Sequence, residues 1–255
     1  MDEQNRIAVL IDAENVSSKY VKLIMDEVGS YGVATYKRLY GDFTKPSVKS
    51  WLSKLQEYAI TPVFQYNYTQ GKNASDSALI IDAMDILYTE NVSGFCLVTS
   101  DSDFTKLAMR LRESGMIVIG MGEQKTPSSL VSACENFKYL DLLSQESGST
   151  MQAGSLSQES RSGETKEENT GIPSRAEIER EIRAIIEAKT EEEWINLSEV
   201  GITLSKRVPG FDPRNYKYQK LRQLIESFDA FETKAIPNPH NKLLKIVYVK
   251  EKEYS

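Results

Sequence analysis

Short apolar runs alternate with amphipathic stretches through the first 140 residues of the chain. The apolar runs predict strands over 6–11, 33–40, 60–66, 94–98 and 116–120, and an edge strand over 137–140. Apolar side chains at helical spacing predict helices over 21–29, 46–58, 77–88, 103–113 and 128–134. Strands without polar alternation, such as 7–11, are typical of parallel sheets buried on both faces. The pattern therefore predicts an α/β domain over residues 1–143, with a parallel sheet and helices on both of its faces.

A polar stretch separates this domain from a second one. Residues 144–171 are mainly Ser, Gly, Glu, Gln and Thr, which cannot bury a core, so we expect a disordered linker. From Ile172 the apolar pattern returns, with a helix near 174–186, a short helix from Ser198, and a third after Asp212-Pro213, a cap followed by proline. Strands over 231–236 and 243–249 flank a turn. Three helices and a β-wing predict a winged helix-turn-helix domain over 172–255.

Composition limits the kinds of protein that the chain can be and the side chains that can carry out its chemistry. The net charge of −6 gives no overall sign of nucleic-acid binding, so any basic surface must be local. Cys96 and Cys134 lie in apolar surroundings without a C-x-x-C pair, which indicates buried thiols in a reducing compartment. The chain shows no apolar run of membrane-spanning length and no signal-peptide pattern, so we expect a cytoplasmic protein. The only histidine, His240, lies in a proline-rich turn, so chemistry must rest on carboxylates, hydroxyls and lysines.

Acidic residues follow the ends of the predicted strands. Asp12 ends the first strand, Asp101 and Asp103 follow the fourth, and Asp76 begins the helix after the third. Because the carboxyl ends of parallel strands share one edge of a sheet, we expect these four side chains to converge. Clustered carboxylates repel one another unless a cation offsets their charge. Oxygen ligands alone select Mg²⁺ or Mn²⁺, so the sequence predicts a metal site there.

Helix capping is the alternative explanation for some of these acids. Ser100-x-x-Asp103 matches a capping box, and Asp76 can also cap the helix that it begins. Asn15 can cap a helix or orient Asp12. We favour a shared site because the acids recur at corresponding strand ends.

Two further acids have weaker claims to the predicted site. The helical position of Asp82 can bring it beneath the site as a supporting group. Glu14 is expected to be a first-turn helix acid and not a ligand.

Residues 6–143 resemble an NYN domain, the LabA-like branch of the PIN-like nucleases. The matching residues are Asp12-x-x-Asn15, the Tyr40-Gly41-Asp42 turn, Lys72-x-x-x-Asp76 with Asp82, and Thr99-Ser100-Asp101-Ser102-Asp103-Phe104. The resemblance implies a metal-dependent ribonuclease whose products carry a 5′ phosphate. It marks as metal ligands Asp12, Asp76, Asp101 and Asp103, with Asn15 and Asp82 in support. The sequence departs from the family in the loop over 72–75, because many members reach the acid at Asp76 through a shorter loop that contains glycine.

Basic side chains predict where RNA would lie. Lys45 and Lys72 fall in loops near the predicted site and are expected to hold the RNA backbone, while Tyr66 and Tyr68 can stack on bases or simply pack. Between residues 205 and 222 there are six basic residues and one acid, Asp212, which gives a local excess of five positive charges. This excess predicts a phosphate-facing patch, with a solvated helix face as the alternative. The six residues are Lys206, Arg207, Arg214, Lys217, Lys220 and Arg222.

Residues 173–249 resemble an OST-HTH (LOTUS) domain. The resemblance rests on the segments 197–201, Leu-Ser-Glu-Val-Gly, and 211–221, in which Lys217 stands where many members have glycine. It implies binding of RNA, sometimes structured or G-rich, or docking to a protein partner. The two resemblances together predict an endoribonuclease that depends on Mg²⁺ or Mn²⁺ and has an RNA-binding module. The alternatives are a non-catalytic RNA-binding adaptor and a DNA-binding helix-turn-helix regulator.

Overall fold

The computed structural model describes residues 4–64, 74–148, 172–189, 194–239 and 241–252. The chain divides into two compact units, one up to residue 171 and the other from 172 to 255. Predictions that concern Tyr66, Tyr68, Lys72, His240 and most of the linker lie outside the described residues. No helix within the described segments combines the length and apolar character that crossing a membrane requires.

Six parallel strands form the sheet of the first unit, in the order β3-β2-β1-β4-β5-β6. They are Arg6–Asp12 (β1), Val33–Gly41 (β2), Thr61–Phe64 (β3), Gly94–Val98 (β4), Ile117–Gly122 (β5) and Asn136–Tyr139 (β6). Strands β1 and β4 lie side by side, with Ile11 opposite Val98, and the strand order reverses between them. Open α/β sheets bind ligands beyond the carboxyl ends of the strands at such a reversal. The predicted parallel sheet is confirmed.

Helices cover both faces of this sheet. They are Val21–Gly29 (α1), Pro46–Lys49 (α2), Leu52–Glu57 (α3), Ala74–Tyr88 (α4), Thr105–Glu113 (α5), Ser128–Ala133 (α6) and Leu140–Gly148 (α7). Ile7, Val9 and Ile11 pack in one core cluster with side chains of α1. Ala8 and Leu10 are equally buried, on the opposite face, because strand side chains alternate and α4 contacts β1 there. The apolar run of β1 thus fills two cores.

Two elements of the first unit differ from the sequence prediction. The helix predicted over 46–58 is interrupted at Trp51, whose side chain is fully buried and whose indole N–H donates to the Val16 carbonyl at 3.1 Å. Ser50 and Trp51 keep helical dihedral angles, but the Trp51 N–H donates to the Val48 carbonyl three residues back, which interrupts the regular hydrogen bonds of the helix. Helix α7 extends to Gly148, so residues 144–148 are helical and not linker. The buried side chains of Leu140 and Leu143 anchor its first turn.

The second unit has a winged-helix arrangement, as predicted. Its helices are Arg175–Glu187 (α8), Leu197–Arg207 (α9) and Leu221–Glu226 (α10), and its strands are Ile195–Asn196 (β7), Phe231–Asn238 (β8) and Asn241–Glu251 (β9). The strands form an antiparallel sheet in the order β7-β9-β8. Isoleucines 178, 182 and 185 of α8 belong to its core.

The third helix of this unit is shorter than predicted. Residues Pro213–Tyr216 form a 3-10 turn that Asp212 caps, and the helix begins only at Leu221. Between them Lys217 has a φ of 66°, in the left-handed region that favours glycine. This is the position at which many OST-HTH domains have glycine, and its conformation ends the turn.

Candidate functional site

Three carboxylates meet beyond the carboxyl ends of the strands. Asp76 lies in the first turn of α4, and Asp101 and Asp103 follow β4. One oxygen atom of each lies within 4.8 Å of one oxygen atom of the other two. Asp76 and Asp101 are half-buried, and Asp103 is exposed. Three of the four predicted acids are therefore close enough to share one ion.

Asp101 also caps the turn that follows β4. One of its carboxylate oxygens accepts the Asp103 N–H at 2.9 Å, ahead of the 3-10 turn Ser102–Phe104. The alternative capping box would use Ser100 as the cap, but the Ser100 hydroxyl accepts the Glu123 N–H at 2.9 Å instead. Glu123 directly follows β5, so the partner of Ser100 is distant in the sequence and the local sequence does not reveal it. Capping and membership of the acidic group are compatible in Asp101.

Asp12 does not belong to the group of three. Its side chain is 2% exposed, and both of its oxygens accept hydrogen bonds from the protein. One oxygen accepts the N–H groups of Glu14 (3.0 Å) and Asn15 (3.2 Å), and the other accepts the Asn15 amide (2.7 Å) and the Thr99 hydroxyl (2.9 Å). Burial raises the pKa of Asp12 above its usual value, although these hydrogen bonds offset part of the rise. Asp12 is thus a buried acid that Asn15 holds in place.

Thr99 connects Asp12 with Asp101. Its buried hydroxyl donates to Asp12 and accepts the Asp101 N–H at 3.1 Å. Gly122 lies against this segment, since a Cβ atom there would be 2.6 Å from the Thr99 carbonyl oxygen. The sequence shows Thr99 only as a small residue at a strand end. Its position between two acids follows from the pairing of β4 with β1.

Glu14 is a further acid at this edge of the sheet, and its predicted place in a helix is wrong. It lies in the loop after β1, where one oxygen accepts the Asp42 N–H at 3.2 Å and the Ser75 hydroxyl at 3.3 Å. Its other oxygen pairs with Lys45. Glu14 therefore links the loops after β1 and β2 to the start of α4, which carries Asp76.

Burial and the charges of the neighbouring acids together affect the pKa of Asp76. Burial, followed by the charges of Asp12, Asp101, Glu14 and Asp103, raises the pKa of Asp76 to about 6. A carboxyl whose pKa is raised by folding lowers stability when it ionises. The contribution of Asp76 to the free energy of unfolding is therefore highest at acid pH and falls as the pH rises from about 4 to about 6.

This repulsion predicts an effect on stability that needs no assay of activity. We expect Asp76→Asn to raise the melting temperature of the metal-free protein near pH 7, because it removes a charge that its neighbours repel. The gain should shrink below about pH 5, where the Asp76 of the native sequence is protonated. Mn²⁺ should then stabilise the native sequence more than the variant, because a ligand that binds the folded state raises its stability.

Thermal scans in EDTA and in Mn²⁺, at several pH values, measure both effects. Asp85→Asn is the matched control, since Asp85 is an exposed acid on the same helix. Melting temperatures of Asp76→Asn that equal those of the native sequence at every pH would contradict the charge cluster.

Asp82 lies further along α4 and does not join the acids. Its carboxylate pairs with Arg38 and accepts the Tyr40 hydroxyl, both on β2. Burial and the neighbouring Asp82 charge raise the pKa of Tyr40 well above its usual range, so that its hydroxyl remains a donor. Tyr40 pairs with Asp12 in the sheet, so these contacts attach α4 to the strand beside the site.

Acids neutralise half of the basic patch predicted in the second unit. The ion pairs are Arg214 with Asp212 (2.8 Å), Arg207 with Glu181 (3.4 Å) and Arg222 with Glu226 (2.7 Å). Glu181 comes from α8, so the charge count over 205–222 does not include it. Within the described part of this unit, Lys206, Lys217 and Lys220 are exposed and make no ion pair.

Comparison with known proteins gives two family matches. The NYN domain model matches residues 6–141, and the OST-HTH/LOTUS domain model matches residues 175–243. Both families and their order are those that the sequence predicts. No curated protein matches the chain. A crystal structure of a protein of unknown function from Vibrio parahaemolyticus RIMD 2210633 matches with a TM-score of 0.46 and 19% identity, over 55% of this chain and 94% of that chain.

Proposed function

The chain belongs to the NYN domain family and carries an OST-HTH/LOTUS domain after that domain, and on this basis we propose that it is a divalent-metal-dependent endoribonuclease. The C-terminal domain binds RNA in this proposal. The observation that carries it is the group formed by Asp76, Asp101 and Asp103, whose carboxylate oxygens lie within 4.8 Å of one another. The group stands where the strand order reverses, which is the usual place for a ligand in such a sheet.

The donor atoms fit a hard divalent cation. All three side chains offer carboxylate oxygen, which Mg²⁺ and Mn²⁺ prefer over softer ligands. Burial and then the charges of the neighbouring acids raise the pKa of Asp76, and a cation between these acids would offset their repulsion. We therefore assign Mg²⁺ or Mn²⁺ to Asp76, Asp101 and Asp103. Asp12 adds a fourth, buried negative charge.

Hydrolysis of an RNA phosphodiester adds water across the bond between phosphorus and the 3′ oxygen, leaving a 5′ phosphate and a 3′ hydroxyl. A divalent ion held by Asp76, Asp101 and Asp103 would polarise the phosphate and make water easier to deprotonate. The residues of the chain hold the acids in place. Thr99 joins Asp12 to the Asp101 backbone, and Glu14 joins the start of α4 to two loops.

Basic residues in both units are assigned to the RNA backbone. Lys45 pairs with Glu14 beside the acids and retains 42% of its side-chain exposure, so it can contact a phosphate near the site. Lys206, Lys217 and Lys220 of the second unit are exposed. Phosphate contacts of this kind make binding weaker as salt rises, without selecting a base sequence.

Removal of metal tests the proposed reaction. Single-stranded RNA labelled at its 5′ end should be cut at internal positions in Mn²⁺ or Mg²⁺, and should remain intact in EDTA. Readdition of Mn²⁺ should restore cleavage, because the acids need a cation to bind the phosphate. Cleavage that persists in EDTA would contradict the metal site. RNA binding without cleavage in any metal would favour an adaptor, and preference for duplex DNA in competition would favour a DNA-binding regulator.

A further inference from the structure

The sheet of the second unit has one buried face and one outer face. Ile195, Phe231 and Val249 lie on the buried face and belong to the core of the unit. Because strand side chains alternate, the residues between them point to the outer face. The pairing of the strands places five polar or aromatic side chains on that outer face, namely Asn196, Glu232, Lys234, Tyr248 and Lys250, with the apolar Ile236 and Ile246 further along the same face.

Trp194 lies at one end of this outer face, beside two lysines. It stands two residues before Asn196 and is half-buried. The ammonium nitrogen of Lys234 is 3.9 Å from the centroid of the indole ring, and that of Lys250 is 5.0 Å from it. An aromatic ring flanked by two cations is therefore available at the surface of the unit.

We propose that this outer face binds single-stranded RNA, with a base stacked on Trp194 and the backbone phosphates held by Lys234 and Lys250. The inference deepens the RNA binding proposed above and rests on it. It places the contact on the sheet, in addition to Lys206, Lys217 and Lys220. The occupant is a nucleic-acid strand with unpaired bases, because a base inside a duplex does not offer its face for stacking.

The chemistry of the face favours RNA over a protein partner. Lysine is depleted at the centres of protein interfaces, where charged side chains must lose water, whereas here two lysines frame the aromatic ring. Nucleic acid needs both features, since rings stack on bases of any sequence and lysines follow the backbone. The long, flexible lysine side chain lets Lys234 move from the ring to a phosphate when a base takes its place. Lys250 also pairs with Glu232 at 3.1 Å, which keeps it on the same face.

Tryptophan fluorescence gives a direct test, because the chain has two tryptophans and they differ in exposure. Trp51 is fully buried in the first unit, whereas Trp194 is half-buried in the second. We expect unlabelled single-stranded RNA of about 20 nucleotides, longer than the site size of many single-strand binding domains, to quench part of the emission of the full chain. EDTA is present so that the RNA is not cut. The quenching should disappear in Trp194→Phe, which retains Trp51 as the emitter.

Affinity for a labelled copy of the same RNA gives a second readout. Trp194→Ala should weaken binding about tenfold, within the range measured for loss of one stacked base, and Trp194→Phe should weaken it less because a ring remains. Triple substitution of Lys206, Lys217 and Lys220 by alanine should reduce affinity and its salt dependence. It should leave the quenching at saturation unchanged.

Lys234→Gln is a milder change to the same face than Trp194→Ala, because it removes only the charge assigned to a phosphate. Circular dichroism of every variant establishes that it is folded. Unchanged affinity in Trp194→Ala together with unchanged emission on RNA addition would overturn the assignment of this face. Failure of the native chain to bind any RNA would overturn the RNA-binding role itself, so the two failures are distinguishable. Equal quenching by duplex DNA would also overturn the assignment to unpaired bases.

Discussion

Asparagine in place of Asp76 or Asp101 should reduce RNA cleavage by more than about a hundredfold at saturating Mn²⁺. Loss of a residue that merely supports a metal ligand typically costs about ten- to a hundredfold, so loss of a ligand should cost more. Each substitution keeps the size of the side chain and removes one charge from the three that face the proposed ion. Initial rates on labelled single-stranded RNA measure the effect.

Two controls separate loss of the site from loss of the fold. Asp85→Asn, on the same helix as Asp76 and exposed, should cleave at the rate of the native sequence. RNA affinity in EDTA should be the same for all four proteins, because RNA binding is assigned to basic residues and to Trp194, none of which is substituted. Cleavage at the native rate by Asp101→Asn would mean that the reaction does not use this group of acids.

Alanine in place of Trp51 should lower the free energy of unfolding of the first unit by about 3–5 kcal/mol, the usual cost of removing a large buried aromatic side chain. The ring is fully buried among the side chains of one face of the sheet, and its N–H group holds the Val16 carbonyl at 3.1 Å. The Val16 N–H in turn donates to the Asp12 carbonyl at 3.1 Å. The loss should therefore also loosen the loop that carries Asn15.

Denaturant unfolding of the full chain, followed by circular dichroism, measures this cost. The two units have separate cores, so a transition of the first unit should shift while that of the second does not. Trp194→Ala is the matched control, because Trp194 belongs to the second unit and its substitution should leave the first transition unchanged. An unshifted first transition in Trp51→Ala would contradict the packing described for this ring.

The sequence determines the sheet and the three acids because both depend on local patterns. The apolar run from Ile7 to Ile11 predicts a strand buried on both faces, and the structure confirms it. Acids that follow strand ends share one edge in any parallel sheet, which is why Asp76 lies near Asp101.

Other features depend on residues that are distant in the sequence. The role of Glu14 follows from Asp42, Lys45 and Ser75, which come from the loop after β2 and from the start of α4. A local rule for helix ends cannot include those partners. The same holds for Arg207, whose charge is offset by Glu181 from another helix.

The pattern of apolar residues also does not predict where the backbone departs from a regular helix. Helical spacing continues through Trp51, but the helix is interrupted there, where the Trp51 N–H donates to the Val48 carbonyl three residues back. At Lys217 the chain adopts a left-handed conformation that nothing in a lysine side chain predicts. For Asp12 the sequence suggests the contact with Asn15, but only the structure shows that the Thr99 hydroxyl also donates to its carboxylate.

Diffraction from crystals soaked in Mn²⁺ tests most directly whether Asp76, Asp101 and Asp103 hold one divalent ion. Data collected at the manganese absorption edge locate the ion independently of any assay of cleavage. We expect an anomalous peak at coordination distance, roughly 2.0–2.6 Å, from oxygens of these carboxylates. The absence of a peak among them, or a peak held by other residues while these side chains point apart, would contradict it.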